Sequence, residues 1–426
     1  MWVRKRIDIG WRGLAGAAMD CARGGDVAPF EERIAALWGR AGRHPFVNLS
    51  VRSGFDSLLT TLAFEPGDEI AMSALTIPDM PNIVREHGLL PVPIDVEPES
   101  MNVRPEQVEA AISPRTRAVV VAHLFGGRVP LEPIAEVCRR RGVLLIEDCA
   151  QAFTGWDFTG SPQADVSMFS FGPIKTHTSL IGSVFTIKDR DLKDRMAREQ
   201  ETWPTQSSAA YFKRAFKYGF VKGLSIGWIA GSVATMLRWM GRDHDRLATN
   251  MARGFAGGDF FAKIRQRPSA PILRTLARRF ERFNPAAVER RRALGKRFVE
   301  RVGEQALVLS AAAEEPTFWV LPVMVDNPRE LVTAMWRRGF DATCSSSLQV
   351  IPAPADRPHL DAAVGRATLD ATVFLPFYHH MPQRVVDAMA DLVRQTARPL
   401  AKPETRRVLE GPTRYATSLS LSRSST

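Results

Sequence analysis

Between residues 45 and 190, continuous apolar runs alternate with segments of helical periodicity, and this alternation constrains the fold more than any other feature of the chain. Within RAVVVAHLF (117–125) the stretch AVVVA shows no polar alternation, and VLLIED (143–148) is apolar until its last two residues. Strands of that kind have no face turned to water, as in parallel sheets covered on both sides. The segment between them, PLEPIAEVCRRRG (130–142), has Pro near its start, arginines in its last turn and Gly142 after it, which are helix punctuation marks. DEIAMSALT (68–76) and LPVPIDV (90–96) read as strands around a short helix, PDMPNIVREHG (78–88). The prolines of LPVPIDV place it near a sheet edge or a strand end. VEAAI (108–112) belongs to a further helix, VSMFSF (166–171) ends as a strand, and GSVFTIKD (182–189) reads as one more. Repeated strand–helix units of this sort predict an α/β fold with a mostly parallel sheet covered by helices.

A second, smaller α/β unit is expected towards the C-terminus. FWVLPVMV (318–325) and VFLPFY (373–378) read as strands, and RELVTAMWRRGF (329–340) and PQRVVDAMADLVRQ (382–395) as helices. The predicted organisation is an N-terminal arm and large domain over 1–200, a basic, aromatic helical insertion over 201–285, a small C-terminal α/β domain over 286–398, and a disordered tail over 399–426, which lacks periodicity.

Composition narrows the class. The chain has 426 residues, 45% hydrophobic and 24% charged, enough apolar material for a large core. Cys21, Cys138, Cys149 and Cys344 are scattered without CxxC spacing, so neither a zinc site nor a disulfide framework is expected and a reducing cytoplasm fits best. The basic start MWVRKRIDIGWRG is broken by Asp8 and Arg12 before a signal-like apolar region forms. No window reaches the ~18 apolar residues of a spanning helix; the longest, GLSIGWIAGSVATML (223–237), is too short. The net charge of +11 is uneven, with 20 Lys or Arg against 6 Asp or Glu between Tyr211 and Glu300.

The chemistry concentrates around FSFGPIKTHTS (169–179), where a strand ends in Gly172-Pro173 and Lys175 follows two residues later. Asp148 stands at the end of VLLIED, and ligands of open parallel sheets bind beyond the carboxyl ends of the strands. Gln151 lies three residues on and Ser170 five residues before the lysine. Upstream, SVRSGFDSLL (50–59) holds the Ser53-Gly54 turn before a helical pattern, which suits an anion site at a helix N-terminus. Pyridoxal phosphate needs this set: a lysine to bind its aldehyde, an Asp to keep the pyridine nitrogen protonated, and a phosphate cradle. A partly desolvated lysine also has the lowered pKa that proton shuttling requires.

The chain resembles the DegT/DnrJ/StrS sugar aminotransferases, fold-type-I pyridoxal-phosphate enzymes, through SGFDSLL (53–59), PGDEI (66–70), AAISPRTRAVVVAHLFG (110–126), IEDCAQAF (146–153) and MFSFGPIK (168–175). The resemblance implies the fold-type-I architecture and assigns Lys175 as the Schiff-base lysine, Asp148 as the partner of the pyridine nitrogen and Gln151 as a neighbour of the ring. Ser170 and the backbone amides of Gly54, Phe55 and Asp56 become the phosphate cradle, and His123 falls on the family's strand-end His, open to a substrate contact or a structural role. There are departures. Phe55 replaces a common Thr, and Ile77 stands where an aromatic usually stacks on the ring, a loss of roughly 1 kcal/mol. Ile181-Gly182-Ser183 follows the lysine in place of Glu-Gly-Gly, and the downstream Gly-x-Asn-x-Arg element is missing, with Arg267 in IRQRPSAP (264–271) in its register as a candidate contact to an anionic substrate group.

The function this implies is pyridoxal-phosphate-dependent transfer of an amino group, with glutamate as donor, to a nucleotide- or lipid-linked keto-sugar, in a homodimer. Two alternatives stay open: a dehydratase or isomerase using the same cofactor, and a non-catalytic regulator or membrane-associated scaffold. For the basic band, YFKRAFKYGFVKGLSIGWIAGSVATMLRWMGR mixes aromatics, cations and an uncharged centre. Peripheral contact of residues 211–246 with an anionic membrane is one reading, a lid or dimer contact over an anionic substrate another, and a solvated basic helix a third. Nucleic acid ranks last, because no recognised binding motif is present.

Overall fold

The computed structural model describes residues 1–4, 6–40, 42–225 and 259–400. The first eight strands are β1 (His44–Asn48), β2 (Glu69–Ser73), β3 (Leu75–Thr76), β4 (Leu90–Ile94), β5 (Thr116–Ala122), β6 (Leu144–Asp148), β7 (Val166–Ser170) and β8 (Ser183–Ile187). Seven of them form one sheet in the order β1-β8-β7-β6-β5-β2-β4. The pairs β4–β2, β2–β5, β5–β6 and β6–β7 are parallel, each joined through a crossover that includes a helix or a long connection. The mostly parallel α/β sheet expected from the apolar runs is therefore present, and proline-bearing β4 lies at its edge.

One detail differs. GSVFTIKD does not extend the parallel repeat, because β8 returns antiparallel to β7, with Ser170 opposite Ser183. No helix intervenes between the two strands, and without a crossover a chain can only return antiparallel. The connection carrying Lys175 is thus a wide hairpin loop at the carboxyl end of β7.

Helices cover both faces. On one side, helix Val51–Leu62 buries Phe55, Leu58 and Leu59 with Ile83 and Val84 against Ile70, Val120, Met168 and Phe185. Gly54 has a packing reason: a Cβ there would stand 2.4 Å from the Phe185 ring. On the other side, helix Glu132–Arg141 packs Ile134, Val137 and Cys138 on Val119, Val121 and Leu145. A third cluster gathers Trp38, Phe153, Phe169, Phe171 and Phe280. Phe280 belongs to helix Ala270–Glu281, which buries eight residues, so this part of the predicted insertion is core of the large unit.

The C-terminal part adds β9 (Leu307–Val308), β10 (Leu321–Met324), β11 (Gln349–Val350) and β12 (Thr372–Leu375). An antiparallel sheet of order β12-β10-β9 packs on helices Pro285–Val302, Pro328–Arg337 and Gln383–Thr396. Arg297–Asp387 and Arg301–Asp391 ion pairs stitch the first of these helices to the last. Gln349 pairs with Thr76 in a two-stranded ladder of β11 with β3, which brings this unit against the segment that follows the carboxyl end of β2, beside Ile77. The apolar centre of the basic band, including Trp228, lies outside the described residues, as does the tail from residue 401 onward.

Candidate active site

The loop after β7 is closed by hydrogen bonds at its base. Phe171 N–H donates to Gly182 O at 2.9 Å and Ser179 N–H to Phe171 O at 3.1 Å. Thr178 Oγ1 donates to Phe171 O at 3.1 Å, and Tyr211 OH to Ser179 O at 2.9 Å. His177 N–H donates to Asp8 Oδ2 at 2.7 Å, tying the N-terminal arm to the loop. His177 and Leu180 adopt φ of 61° and 74°, a left-handed backbone that non-glycine residues hold only when their surroundings fix it. Lys175 N–H completes a tight turn onto Gly172 O at 3.1 Å. The lysine is thereby placed by backbone geometry rather than by its own side chain.

The loop opens on a cavity of about 870 Å³ lined by Lys175, Asp148, Gln151, Ser170 and Ile77 together. Asp148 and Ser170 lie at the carboxyl ends of the adjacent strands β6 and β7. Asp148 Oδ1 accepts the Ala150 N–H at 2.9 Å, and its other oxygen takes no hydrogen bond from the described residues. Burial raises the Asp148 pKa, against the pull of the Ala150 N–H and of Lys175. Burial pushes Lys175 down to about 8, opposed by the Asp148 charge and aided by repulsion from Arg52. Its Nζ stands 4.3 Å from the centre of the Trp319 ring, whose Nε1 donates to Ile174 O at 3.2 Å. Gln151 Oε1 accepts the Phe125 N–H at 2.8 Å, which orients the amide and leaves its nitrogen for a ligand. The lining carries eight further Arg or Lys residues against three Asp, so the field inside favours an anion.

Gly54, Phe55 and Asp56, expected to cradle a phosphate, lie off the cavity lining. Helix Val51–Leu62 begins at Ser50, whose Oγ accepts the Ser53 N–H at 3.1 Å, and it is Ser50, Val51 and Arg52 that line the cavity. Gly54 N–H is already spent on Ser50 O at 3.0 Å. Phe55 is core, and Asp56 faces away to His87 (3.0 Å) and Arg265 (2.8 Å). The first-turn amides, with no helical acceptor, and the helix dipole give the Val51–Arg52 end the character that suits an anion. Ser50 with Ser53 three residues later was the N-cap signal available in the sequence; the Ser53-Gly54 pair masked it.

His123 and Arg267, the candidate substrate contacts, also lie off the cavity lining. His123 is buried, its Nδ1 accepting the Val129 N–H at 3.0 Å and its Nε2 donating to Glu147 Oε1 at 2.8 Å. With both nitrogens engaged it cannot ligate a metal beside Glu147 and Cys149, although the three donor groups lie within 4.8 Å of one another. Arg267 is bridged to Thr205 through the backbone and donates from Nε to Trp203 O at 3.2 Å. Sequence reasoning missed Arg52, Trp319 and Arg291, which join the cavity from distant parts of the chain and carry no local signature.

The depressed lysine has a consequence for stability. With nothing bound at Lys175, the unfolded chain keeps its proton up to about pH 10.5 while the folded chain releases it near pH 8. The penalty of burying the charge is complete below pH 8, and the lysine's contribution to stability rises with pH across that window. Lys175→Met is therefore expected to raise the melting temperature more at pH 7 than at pH 10. An equal difference at both pH values would show that the lysine is not desolvated.

The family model of the DegT/DnrJ/EryC1/StrS aminotransferases matches residues 17–394. GDP-perosamine synthase of Caulobacter vibrioides is 36% identical over 141 residues, 32% of this chain and 38% of that protein. The spore coat polysaccharide biosynthesis protein SpsC of Bacillus subtilis is 29% identical over 197 residues, 46% of this chain and 48% of that protein. The chain thus spans less than half the length of these two relatives in the matched stretches. Among solved structures, the aminotransferase TlmJ of Streptoalloteichus hindustanus superposes with a TM-score of 0.65 at 20% identity, covering 93% of this chain and 98% of that one, a likeness of fold. By the extent of the family match, from the N-terminal helix to the last helix of the small sheet's layer, this chain belongs to the DegT/DnrJ/EryC1/StrS aminotransferase family.

Proposed function

We propose that the chain is a pyridoxal-phosphate-dependent aminotransferase that moves an amino group from glutamate to a nucleotide- or lipid-linked keto-sugar. The observation that carries this reading is a desolvated Lys175, on the loop after β7, lining one cationic cavity with Asp148 at the end of the adjacent β6. The donor set fits the cofactor. Asp148 has a free oxygen for a ring N–H, the Val51–Arg52 amides and the Ser170 hydroxyl suit a phosphate, and Ile77 and Gln151 flank the space for a ring. When bound, pyridoxal phosphate supplies an electron-accepting ring conjugated to the substrate nitrogen. Lys175 holds the cofactor's aldehyde carbon and, as a free amine, moves the proton at the substrate carbon that loses or gains nitrogen. Burial lowers the amine's pKa to about 8, which brings its neutral form closer to neutral pH than in an ordinary lysine. Asp148 holds a proton on the ring nitrogen, and the cations of the lining hold the acidic groups of donor and acceptor. Product analysis with glutamate and a panel of nucleotide- and lipid-linked keto-sugars tests this. An aminated sugar with 2-oxoglutarate is the expected pair. A dehydrated or isomerised sugar without amine transfer would make it a different enzyme, and cofactor binding without any turnover would make it a regulator.

The reading extends to assembly and place. As in the resembled family, we expect a homodimer, and sedimentation showing a fully active monomer would contradict this. The four cysteines are free, in keeping with a reducing cytoplasm. Among the described residues no helix is long and apolar enough to cross a membrane. Helix Ser208–Leu224 nevertheless presents Phe212, Phe216 and Phe220 at 47%, 73% and 59% exposure, one stripe at i, i+4, i+8. Lys213 and Lys217 alternate with them, and the helix has no acidic residue. Its inner face supplies Arg214 and Lys222 to the cavity. Apolar rings edged by cations fit the interface of an anionic bilayer, each cation adding on the order of 1 kcal/mol. Vesicles rich in anionic lipid should sediment the protein at low salt, and Phe216→Asp should release it. If the variant instead splits a dimer and vesicles never bind, the stripe is a subunit contact.

A further inference from the structure

The N-terminal arm runs beside the loop that carries Lys175. Ile7 and Ile9 are buried in one cluster with Leu180 and Ile181 of that loop. Asp8, between them, lines the cavity and meets the loop's backbone: its Oδ2 accepts the His177 N–H at 2.7 Å. Two cations fix the arm's own backbone at this point. Arg279 Nη2 donates to Asp8 O at 2.6 Å and Lys222 Nζ to Ile7 O at 3.3 Å. Nearer the chain start, Trp2 N–H donates to Gly339 O at 2.8 Å and Arg4 N–H to Asp341 Oδ2 at 2.9 Å. The arm is thus held along its length, from the C-terminal unit to the lysine loop.

His177 is where the arm grips. It follows Lys175 by two residues, and its φ of 61° lies in the left-handed region that a residue with a Cβ avoids. At 6% exposure its N–H has little access to water, and the Asp8 carboxylate gives it a charge-assisted partner. The ring is held as well: Nε2 donates to Arg279 O, and the Arg279 guanidinium in turn lies 3.8 Å from Asp8 Oδ2. The turn onto Gly172 ends at Lys175, and the bonds at the loop's base begin at Thr178. Between them Thr176 and His177 depend on contacts from outside the loop. Arg291 Nη1 reaches the Thr176 hydroxyl at 3.1 Å, whereas Asp8 holds the backbone itself. Without that hold His177 could relax to a right-handed backbone, which would turn the chain two residues from the lysine.

We propose that Asp8 is a positioning residue for Lys175, its carboxylate holding His177 in the left-handed conformation that sets the lysine's direction in the cavity; this rests on the aminotransferase reading above. The test compares wild type, Asp8→Ala and Asp8→Asn, because asparagine keeps an acceptor oxygen without the charge. In cofactor-free protein, deuterium exchange of loop 171–182 is expected to be about tenfold faster in Asp8→Ala, with peptides of the central sheet unchanged. In cofactor-loaded protein, Asp8→Ala should lower the limiting rate of the glutamate half-reaction by about 10- to 100-fold, as a displaced reacting group does. The glutamate concentration for half-maximal rate should move less than about threefold, because binding is not what the tether serves. Asp8→Asn should bring both loop exchange and rate to within about threefold of wild type. A wild-type rate in Asp8→Ala overturns the proposal, whatever the loop exchange. An asparagine variant as impaired as the alanine one also overturns it, since the charge and not the tether would then matter. Faster exchange spread over the whole chain, with a lowered melting temperature, would make the arm a general structural element and overturn it too. A wild-type protein that shows no reaction with glutamate overturns the aminotransferase reading and the positioning role with it, while loop exchange in the variants still reports whether Asp8 holds His177.

Discussion

Replacing Lys175 by alanine is expected to lower amino transfer by at least about 10³-fold, because one side chain both holds the cofactor and moves the proton. The fold should survive. The loop is held by backbone bonds of Phe171, Ser179 and Gly182 and by the Tyr211 hydroxyl, none of which involves the lysine side chain. Removing a desolvated cation should leave melting temperature unchanged or higher at neutral pH. Turnover and thermal melting measured on the same preparation separate the two effects. Full activity in Lys175→Ala would remove the lysine from the chemistry, and a large fall in melting temperature would mean that it is part of the loop's architecture.

The second large effect is expected at Asp148. Asp148→Asn keeps the shape, and the side-chain carbonyl can still accept the Ala150 N–H that now meets Oδ1 at 2.9 Å. What disappears is the negative charge that would keep a ring nitrogen protonated. Loss of one such preorganised electrostatic partner is expected to slow turnover by about 10²- to 10³-fold with cofactor still bound. Stopped-flow traces of the glutamate half-reaction would show the loss in the proton-transfer phase. Burial already disfavours the carboxylate's charge, so the amide should not destabilise the fold. A variant that reacts at the wild-type rate would mean that Asp148 serves only as a cap for the turn at Ala150.

Much of this site was legible because its residues sit where local sequence and sheet topology coincide. Continuous apolar runs such as AVVVA and VLLI marked buried parallel strands, so Asp148 and Ser170 could be placed at strand ends before any contact was known. Where long-range pairing decides the outcome, the sequence was silent. β1 (HPFVN) hides behind Pro45, tolerated because the strand lies at the sheet edge, and β9 and β11 are two residues each. The direction of β8 depends on which neighbour it pairs with, which periodicity does not report. The surroundings of Gly54 depend on the same long-range packing. Gly54 looked like a turn glycine, yet its small size is required by Phe185, 131 residues further along the chain. His123 carried the chemistry of a ligand, but Glu147 and the Val129 amide use both its nitrogens. Arg291 is one arginine in a basic helix, and its place on the cavity wall depends on packing that helix periodicity does not report.

Reduction of the cofactor-loaded protein with borohydride, followed by proteolysis and mass spectrometry, tests the central assignment most directly. A pyridoxyl adduct confined to the peptide that contains Lys175, and lost when glutamate is added before the reductant, is the expected result. An adduct on another lysine, or none on protein that has bound the cofactor, would contradict it.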